Sequence, residues 1–135
     1  LRQAVLDEAR AAEELTDHLL DLGHATVHHV RVPPRGARTG RTTGWRRALK
    51  RRSAVIPPLS DATWDPRSGI EIGRRLAEDP SVTAVFCGND EIAMGVIRGI
   101  TASGHRVPED ISVAGFDDHP PGRALESTPP PTVDQ

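Results

Sequence analysis

Apolar residues along this chain occur in two alternating patterns: short runs suited to strands, and longer stretches in which they recur every three or four positions. This alternation is typical of consecutive βα units around a parallel sheet. The pattern predicts helices over 11–22, 41–52, 67–78 and 90–103, and strands over 3–7, 25–32, 54–57, 81–87 and 111–116. We therefore predict an α/β fold with a parallel sheet flanked by helices.

The clearest predicted strand is 81–87, whose apolar residues are Val82, Ala84, Val85 and Phe86. A strand this continuously apolar suits a parallel sheet that is covered on both faces. Asn89 follows it and can cap the next helix, because its side-chain oxygen can accept a backbone N–H of the first turn. We expect 82–86 and 111–116 to be neighbouring central strands.

Composition narrows the class of protein. The 135 residues fit one domain, and 36% hydrophobic content supports a modest core. Only 3% of residues are aromatic and none is Tyr, which disfavours nucleic-acid binding by base stacking. Cys87 is the only cysteine, so an internal disulfide is excluded. No run approaches the roughly 20 apolar residues of a membrane span, and no leader pattern opens the chain, so we expect a soluble, cytoplasmic protein without a cofactor.

Charge is unevenly distributed. Between Leu22 and Ser60 there are nine Arg or Lys residues and no acid, whereas the chain from Asp61 onward is predominantly acidic. One interpretation is a nucleic-acid-binding segment over 31–52. The other is a solvated helix and loop with no nucleic-acid role, and the composition alone leaves both open.

One stretch carries a specific resemblance. Residues 83–118, TAVFCGNDEIAMGVIRGITASGHRVPEDISVAGFDD, closely resemble the signature of LacI/GalR-family transcriptional regulators. Three upstream pieces agree in order and spacing: HLLDLGH at 18–24, R-x-x-G-W at 41–45 and W-x-x-x-S-G at 64–69. Two departures are Ala62 and Thr63, where the family usually has Gly-Asp, and the spacing of the tail STPPPTVDQ.

The resemblance implies a sensor of two α/β lobes, similar to periplasmic sugar-binding proteins, with the effector in the cleft between them. On that basis 1–50 would be the later part of the first lobe, 51–118 the second lobe, and 119–135 a tail crossing back towards the first. The family's DNA-binding helix-turn-helix precedes the sensor and is not expected in this chain. The predicted strand at the very beginning and a possible strand start at Thr132–Val133 indicate a longer protein.

Four residues are candidates for the effector site. Ligands of doubly wound sheets bind beyond the carboxyl ends of the strands, where Asn89 and Asp117 lie and could bond sugar hydroxyls. Arg41 could bind a sugar oxygen or a carboxylate with its planar fork, and Trp64 could stack on a pyranose ring. The alternatives are a plain helix cap for Asn89, a loop carboxylate for Asp117, a solvated Arg41, and a core or hinge anchor for Trp64.

Catalysis is not expected. The triplet Asp117, Asp118 and His119 is spaced too closely for a helical metal pair, and adjacent strand residues such as His28 and His29 point to opposite faces. The other set that a catalytic or metal site could use is His24, His28 and His29. The chain contains no G-x-S-x-G, P-loop or G-x-G-x-x-G motif, so we predict neither an enzyme nor a metal site.

The helix over 90–103 is apolar around most of its circumference, more than one sheet face requires. We expect Ile92, Val96 and Ile100 to pack on the sheet and leave Met94 and Ile97 for a homodimer interface; the alternative is a helix covered by the chain's own tail, 120–131.

Three partners are expected: a small-molecule effector, for which a sugar is favoured over a purine; a second copy of the chain; and operator DNA, bound through the missing N-terminal domain. A sugar-binding protein without DNA function remains an alternative.

Overall fold

A computed structural model describes residues 2–33, 39–117 and 123–125. Four helices and five strands follow one another in these ranges: α1 (Arg2–Asp21), β1 (His28–Arg31), α2 (Thr39–Arg51), β2 (Ser60–Asp61), α3 (Arg67–Ala77), β3 (Ala84–Cys87), α4 (Asp90–Ala102), β4 (Ser112–Asp117) and β5 (Arg123–Leu125). None of the described helices is long and apolar enough to cross a membrane.

The strands form one sheet in the order β2-β1-β3-β4-β5. The first four are parallel, and β5 runs antiparallel along β4. β3 and β4 are adjacent, with Ala84 opposite Ser112 and Phe86 opposite Ala114. The α/β fold and the neighbouring placement of the two most apolar strands are therefore confirmed.

Side chains alternate across the sheet and build a core on each face. From β3, Val85 and Cys87 pack with α3 and α4, whereas Ala84 and Phe86 pack with α1 and α2. All four residues of this strand are buried. This two-sided burial explains why the strand lacks the polar alternation of a half-exposed sheet.

Two strand predictions are wrong. Residues 3–7 lie in α1, because the helix-forming sequence rich in Ala and Glu extends further towards the N-terminus than the strand assignment allowed. Residues 54–57 form no strand: Ala54 donates its N–H to the Leu49 carbonyl (2.9 Å) at the end of α2, and the edge strand starts only at Ser60, after two prolines. Prolines at 57 and 58 have no N–H to give to a ladder.

The predicted boundary near residue 50 would cut this sheet. β1 lies between β2 and β3, and α2 packs on the same core as β3 and β4. The indole N–H of Trp45 donates to the Val27 carbonyl (2.8 Å), which ties α2 to the segment that leads into β1. The described residues on both sides of position 50 thus share one sheet and its two cores.

Candidate functional site

A cleft of about 400 Å³ opens where the parallel strands end. Its wall is formed by Pro33 after β1, the loop from Thr63 to Pro66 after β2, the first turn of α3, and residues of α4 as far as Arg98, including Met94. This is the edge at which doubly wound sheets bind ligands. Two of the four candidate residues, Trp64 and Asn89, line this cleft.

Trp64 is presented by a short loop that is fixed by its own hydrogen bonds. The backbone N–H of Thr63 donates to Ser68 Oγ (3.0 Å), and that of Arg67 donates to Asp65 Oδ1 (2.9 Å). The Arg67 guanidinium and backbone N–H both bond the Asp65 carboxylate and lower its pKa. Trp64 itself is 67% exposed. Its ring is therefore a surface platform and not a core anchor.

Asn89 caps α4 and also lines the cleft. Its backbone is extended, and its side-chain oxygen accepts the N–H of Ile92 (2.8 Å), so the predicted cap of α4 is confirmed. The same side chain lines the cleft. An amide carries a second lone pair and two N–H donors, so the cap leaves Asn89 able to bond a ligand hydroxyl.

Arg41 is buried, with only 2% of its surface exposed. Its guanidinium donates to the carbonyl of Gly88, forms an ion pair with Glu8 (3.4 Å) and lies over the Phe116 ring, 4.6 Å from the centroid. A solvated Arg41 is therefore excluded. The residue does not line the cleft but lies behind the turn that carries Asn89.

Asp117 is the last residue of β4 and pairs with Arg123 of β5. Its position at the carboxyl end of the strand is as expected, while its side chain lies outside the described part of the chain. Asp118, His119 and most of the tail 119–135 lie outside it as well.

Sequence reasoning missed Glu8. This carboxylate precedes Ala12 by four residues and lies on the helix face that also carries Leu15 and Leu19, so its position on the buried face was a detectable signal.

The histidines in the described part of the chain do not converge on a metal site. His29 is buried against Phe86, its ring stacked at 4.6 Å, with Nδ1 2.9 Å from the Phe86 carbonyl and Nε2 3.0 Å from Thr42 Oγ1. Burial lowers its pKa to about 4. His24 instead contacts Thr83 Oγ1 (2.9 Å). Across the described ranges, no group of three or more His, Cys, Asp or Glu residues could hold a metal ion.

Several basic residues in the described part of this segment are paired with acids of neighbouring elements. Arg51 contacts Asp17 of α1 (2.6 Å), Arg52 contacts Asp21 (2.8 Å), and Arg31 contacts Asp61 of β2 (2.6 Å). A cation already bonded to a carboxylate is a poor phosphate contact, because binding would have to break that pair. The interpretation of 31–52 as a nucleic-acid-binding segment is thereby disfavoured.

Comparison with known proteins identifies the family to which this fold and sequence belong. Residues 16–134 match the model of the periplasmic binding protein-like domain family. The HTH-type transcriptional repressor PurR of Haemophilus influenzae is 35% identical over 108 residues, which cover 76% of this chain and 32% of that protein. Catabolite control protein A of Priestia megaterium is 36% identical over 123 residues, covering 83% and 35%. The chain thus spans about a third of the length of these relatives; the first is named as a transcriptional repressor, and neither name is that of an enzyme.

Solved structures give the same result. A sugar-binding transcriptional regulator of the LacI family from Escherichia coli, complexed with phosphate, superposes with a TM-score of 0.75 at 26% identity, covering 83% of this chain and 42% of that one. The lac repressor dimer bound to operator and the anti-inducer ONPF superposes with a TM-score of 0.71 at 32% identity, covering 83% and 34%. The regulator CelR in complex with cellobiose gives 0.74 at 30% identity, covering 82% and 35%.

Proposed function

Since this chain belongs to the periplasmic binding protein-like domain family, and resembles its LacI-family regulators, we propose that it binds a small uncharged effector in the cleft of Trp64 and Asn89. The observation that carries the proposal is the placement of these two side chains in one cleft at the carboxyl ends of the strands. An exposed indole face beside an amide is a combination suited to a ring that carries hydroxyl groups.

The chemistry of the two residues favours a sugar. The apolar face of a pyranose can stack on the Trp64 ring, while Asn89 can both donate to and accept from a hydroxyl. Asp117 is proposed to bond two adjacent hydroxyls from the end of β4. Arg41 is proposed to support the site through the Gly88 carbonyl. A purine, which can also stack on an indole, is the second effector class that the binding experiment must include.

We propose that residues 2–117 belong to one lobe of the sensor. The single sheet formed by the described strands supports this assignment over the division near residue 50. The effector would then be enclosed by a second lobe supplied by the rest of the protein. The tail 119–135 remains proposed as a crossover between the lobes.

The whole protein is proposed to be a cytoplasmic, dimeric regulator that binds operator DNA through a helix-turn-helix outside this chain. Met94 lines the cleft on α4 and is also 56% exposed, and this exposure supports the dimer assignment. Ile97 is only partly buried and packs against the core between α4 and the sheet, so it has less apolar surface to offer than the sequence suggested. A sugar-binding protein without DNA function is the less favoured alternative, since the PurR relatives are named as transcriptional repressors.

A thermal-shift screen of the full-length protein against neutral sugars and purines tests the proposal, because a ligand that binds only the folded state raises the melting temperature. We expect at least one neutral sugar to raise it in a saturable way. Asp117→Ala should weaken that response. No response to either class, with the protein folded, would refute the proposed function; a response to purines alone would refute the sugar assignment.

A further inference from the structure

An ion pair joins the two strands that precede the loop of Trp64. Arg31 on β1 and Asp61 on β2 lie opposite each other in the parallel ladder. The Nε–H of Arg31 donates to Asp61 Oδ1 (2.6 Å), and an Nη2–H donates to Oδ2 (3.0 Å). These hydrogen bonds lower the pKa of Asp61. One planar guanidinium thus holds both carboxylate oxygens, which fixes the direction of the Asp61 side chain as well as its distance from β1.

The strand β2 is a short attachment for this loop. It has two residues, and the prolines at 57 and 58 before it have no N–H to donate to a ladder. After the strand, the Ala62 N–H donates to the Arg31 carbonyl (3.0 Å), and the Ala62 side chain is buried in the core. The ion pair therefore adds a side-chain link to the few backbone contacts that tie the chain to β1 just before Trp64.

The position of the Trp64 ring depends on how the two ends of its loop are held. The ring is 67% exposed, so the core contributes little to holding it. At the α3 end, the Thr63 N–H donates to Ser68 Oγ (3.0 Å). At the sheet end, Asp61 lies three residues before Trp64. The side chains of Arg31 and Asp61 are 42% and 58% exposed, so their pair adds little to the stability of the whole protein and its effect is mainly geometric.

We propose that Arg31 and Asp61 are positioning residues of the effector site, whose bidentate pair holds the start of the loop so that the Trp64 ring is presented to the cleft. Neither side chain is among the described residues that line the cleft. The pair therefore acts through Trp64 and does not touch the effector. This inference rests on the proposed function and deepens it, because it adds the residues that orient the stacking platform.

The first test needs no effector. Full-length protein labelled with fluorotryptophan is studied by fluorine NMR, and Trp64→Phe and Trp45→Phe assign the two resonances. We expect Asp61→Asn and Arg31→Gln each to shift or broaden the Trp64 resonance and to leave that of Trp45, which is fully buried, unchanged. Asp110→Asn is the matched control, because it breaks another exposed pair, with Arg106, whose residues do not line the cleft.

The second test measures the affinity of the best effector from the thermal-shift screen by isothermal titration. We expect Asp61→Asn and Arg31→Gln each to weaken binding about fourfold, close to the largest effect of an exposed pair. The double variant Arg31→Gln/Asp61→Asn should be no weaker than either single variant, because both remove the same interaction. In a Trp64→Ala background, Asp61→Asn should change the affinity by less than about 1.5-fold, because the residue through which the pair acts is missing.

An unchanged Trp64 resonance in both single variants would overturn the inference, whether or not an effector binds. So would an affinity within about 1.5-fold of the unmodified protein, or a loss that is equally large in the Trp64→Ala background. If the Trp45 resonance also moves in Asp61→Asn, the core has changed, and Arg31→Lys, which keeps the charge but loses the planar fork, decides instead. Failure of every sugar and purine to bind refutes the proposed function, while the Trp64 resonance still decides whether the pair positions the ring.

Discussion

A Cβ placed on Gly73 of α3 would collide with the carbonyl oxygen of Val96 on α4 and lie 3.0 Å from its carbonyl carbon. The reciprocal relationship holds at Gly99, where a Cβ would collide with the Ile70 carbonyl oxygen. The two helices that flank the cleft therefore meet backbone to backbone. This close approach fixes the distance between the loop of Trp64 and the start of α4.

Gly73→Ala and Gly99→Ala should each destabilise the protein by about 3 kcal/mol, because backbone atoms cannot move aside as a flexible side chain can. Denaturant unfolding monitored by circular dichroism measures the change. Arg74→Ala, at an exposed neighbouring position, is the matched control and should have an effect within about 0.5 kcal/mol. Equal stabilities of Gly73→Ala and Arg74→Ala would show that the helices do not touch at this point.

Stability should fall as the pH drops from about 6.5 towards 4. The folded-state pKa of His29, about 4, lies below the ordinary value of 6.5, because burial disfavours the charged ring. The unfolded chain consequently binds a proton in this window that the folded chain does not. The contribution of His29 is complete above the unfolded pKa and is lost as pH falls to the folded one, on the order of 3 kcal/mol in total.

The measurement for His29 is the free energy of unfolding at several pH values between 4 and 7. His29→Gln is expected to be less stable at pH 7 and to show a flatter dependence on pH. His24→Gln is the control, since His24 is more exposed and should alter the dependence less. An unchanged slope in His29→Gln would mean that other groups cause the acid sensitivity.

Met94→Glu should weaken the proposed homodimer, because it introduces a charge into an exposed apolar position of α4. Sedimentation of the full-length protein should show a larger monomer fraction. Val55→Glu, at a position that is 72% exposed and away from the cleft, controls for added surface charge. Ile97 is left unchanged, because its contact with the core would confuse loss of folding with loss of association. A dimer that Met94→Glu leaves intact places the interface elsewhere.

The isolated chain should not protect any specific DNA sequence. Its most basic helix segment is held to α1 by pairs such as Arg51 with Asp17 and Arg52 with Asp21. We expect at most weak binding that disappears between about 50 and 200 mM salt, as purely electrostatic contacts do. Footprinting on genomic fragments checks this, and a salt-resistant, sequence-selective footprint would contradict it.

Secondary-structure elements were predicted correctly where the pattern of apolar residues was unambiguous. β3 and β4 were predictable because continuous apolar runs demand two-sided burial, and the Asn89 cap because its chemistry is local. The strand at 3–7 was mistaken because a short apolar run suits a helix as well as a strand. The edge strand at Ser60 has only two residues and no periodicity to detect.

The site was harder to predict because it depends on contacts between distant segments. Trp64 and Asn89 were candidates from the family resemblance, and in the structure both line one cleft; their role there remains a prediction. The burial of Arg41 was not predictable from the basic segment around it, because it depends on Glu8, 33 positions away, and on the Phe116 ring. The close contact at the glycines of α3 and α4 likewise cannot be predicted unless the two helices are known to be neighbours.

The most direct test of the account is isothermal titration of the best effector from the screen into three proteins: the unmodified one, Trp64→Ala and Asn89→Asp. Aspartate caps a helix as well as asparagine does, so Asn89→Asp removes the amide donors while keeping α4 intact, and the exposed Trp64 contributes little to the core. We predict that each variant binds at least about tenfold more weakly, a loss of roughly 1.4 kcal/mol, with a nearly unchanged melting temperature. An affinity within about twofold of the unmodified protein in both variants, a difference below roughly 0.5 kcal/mol, would contradict the assignment of this cleft as the effector site.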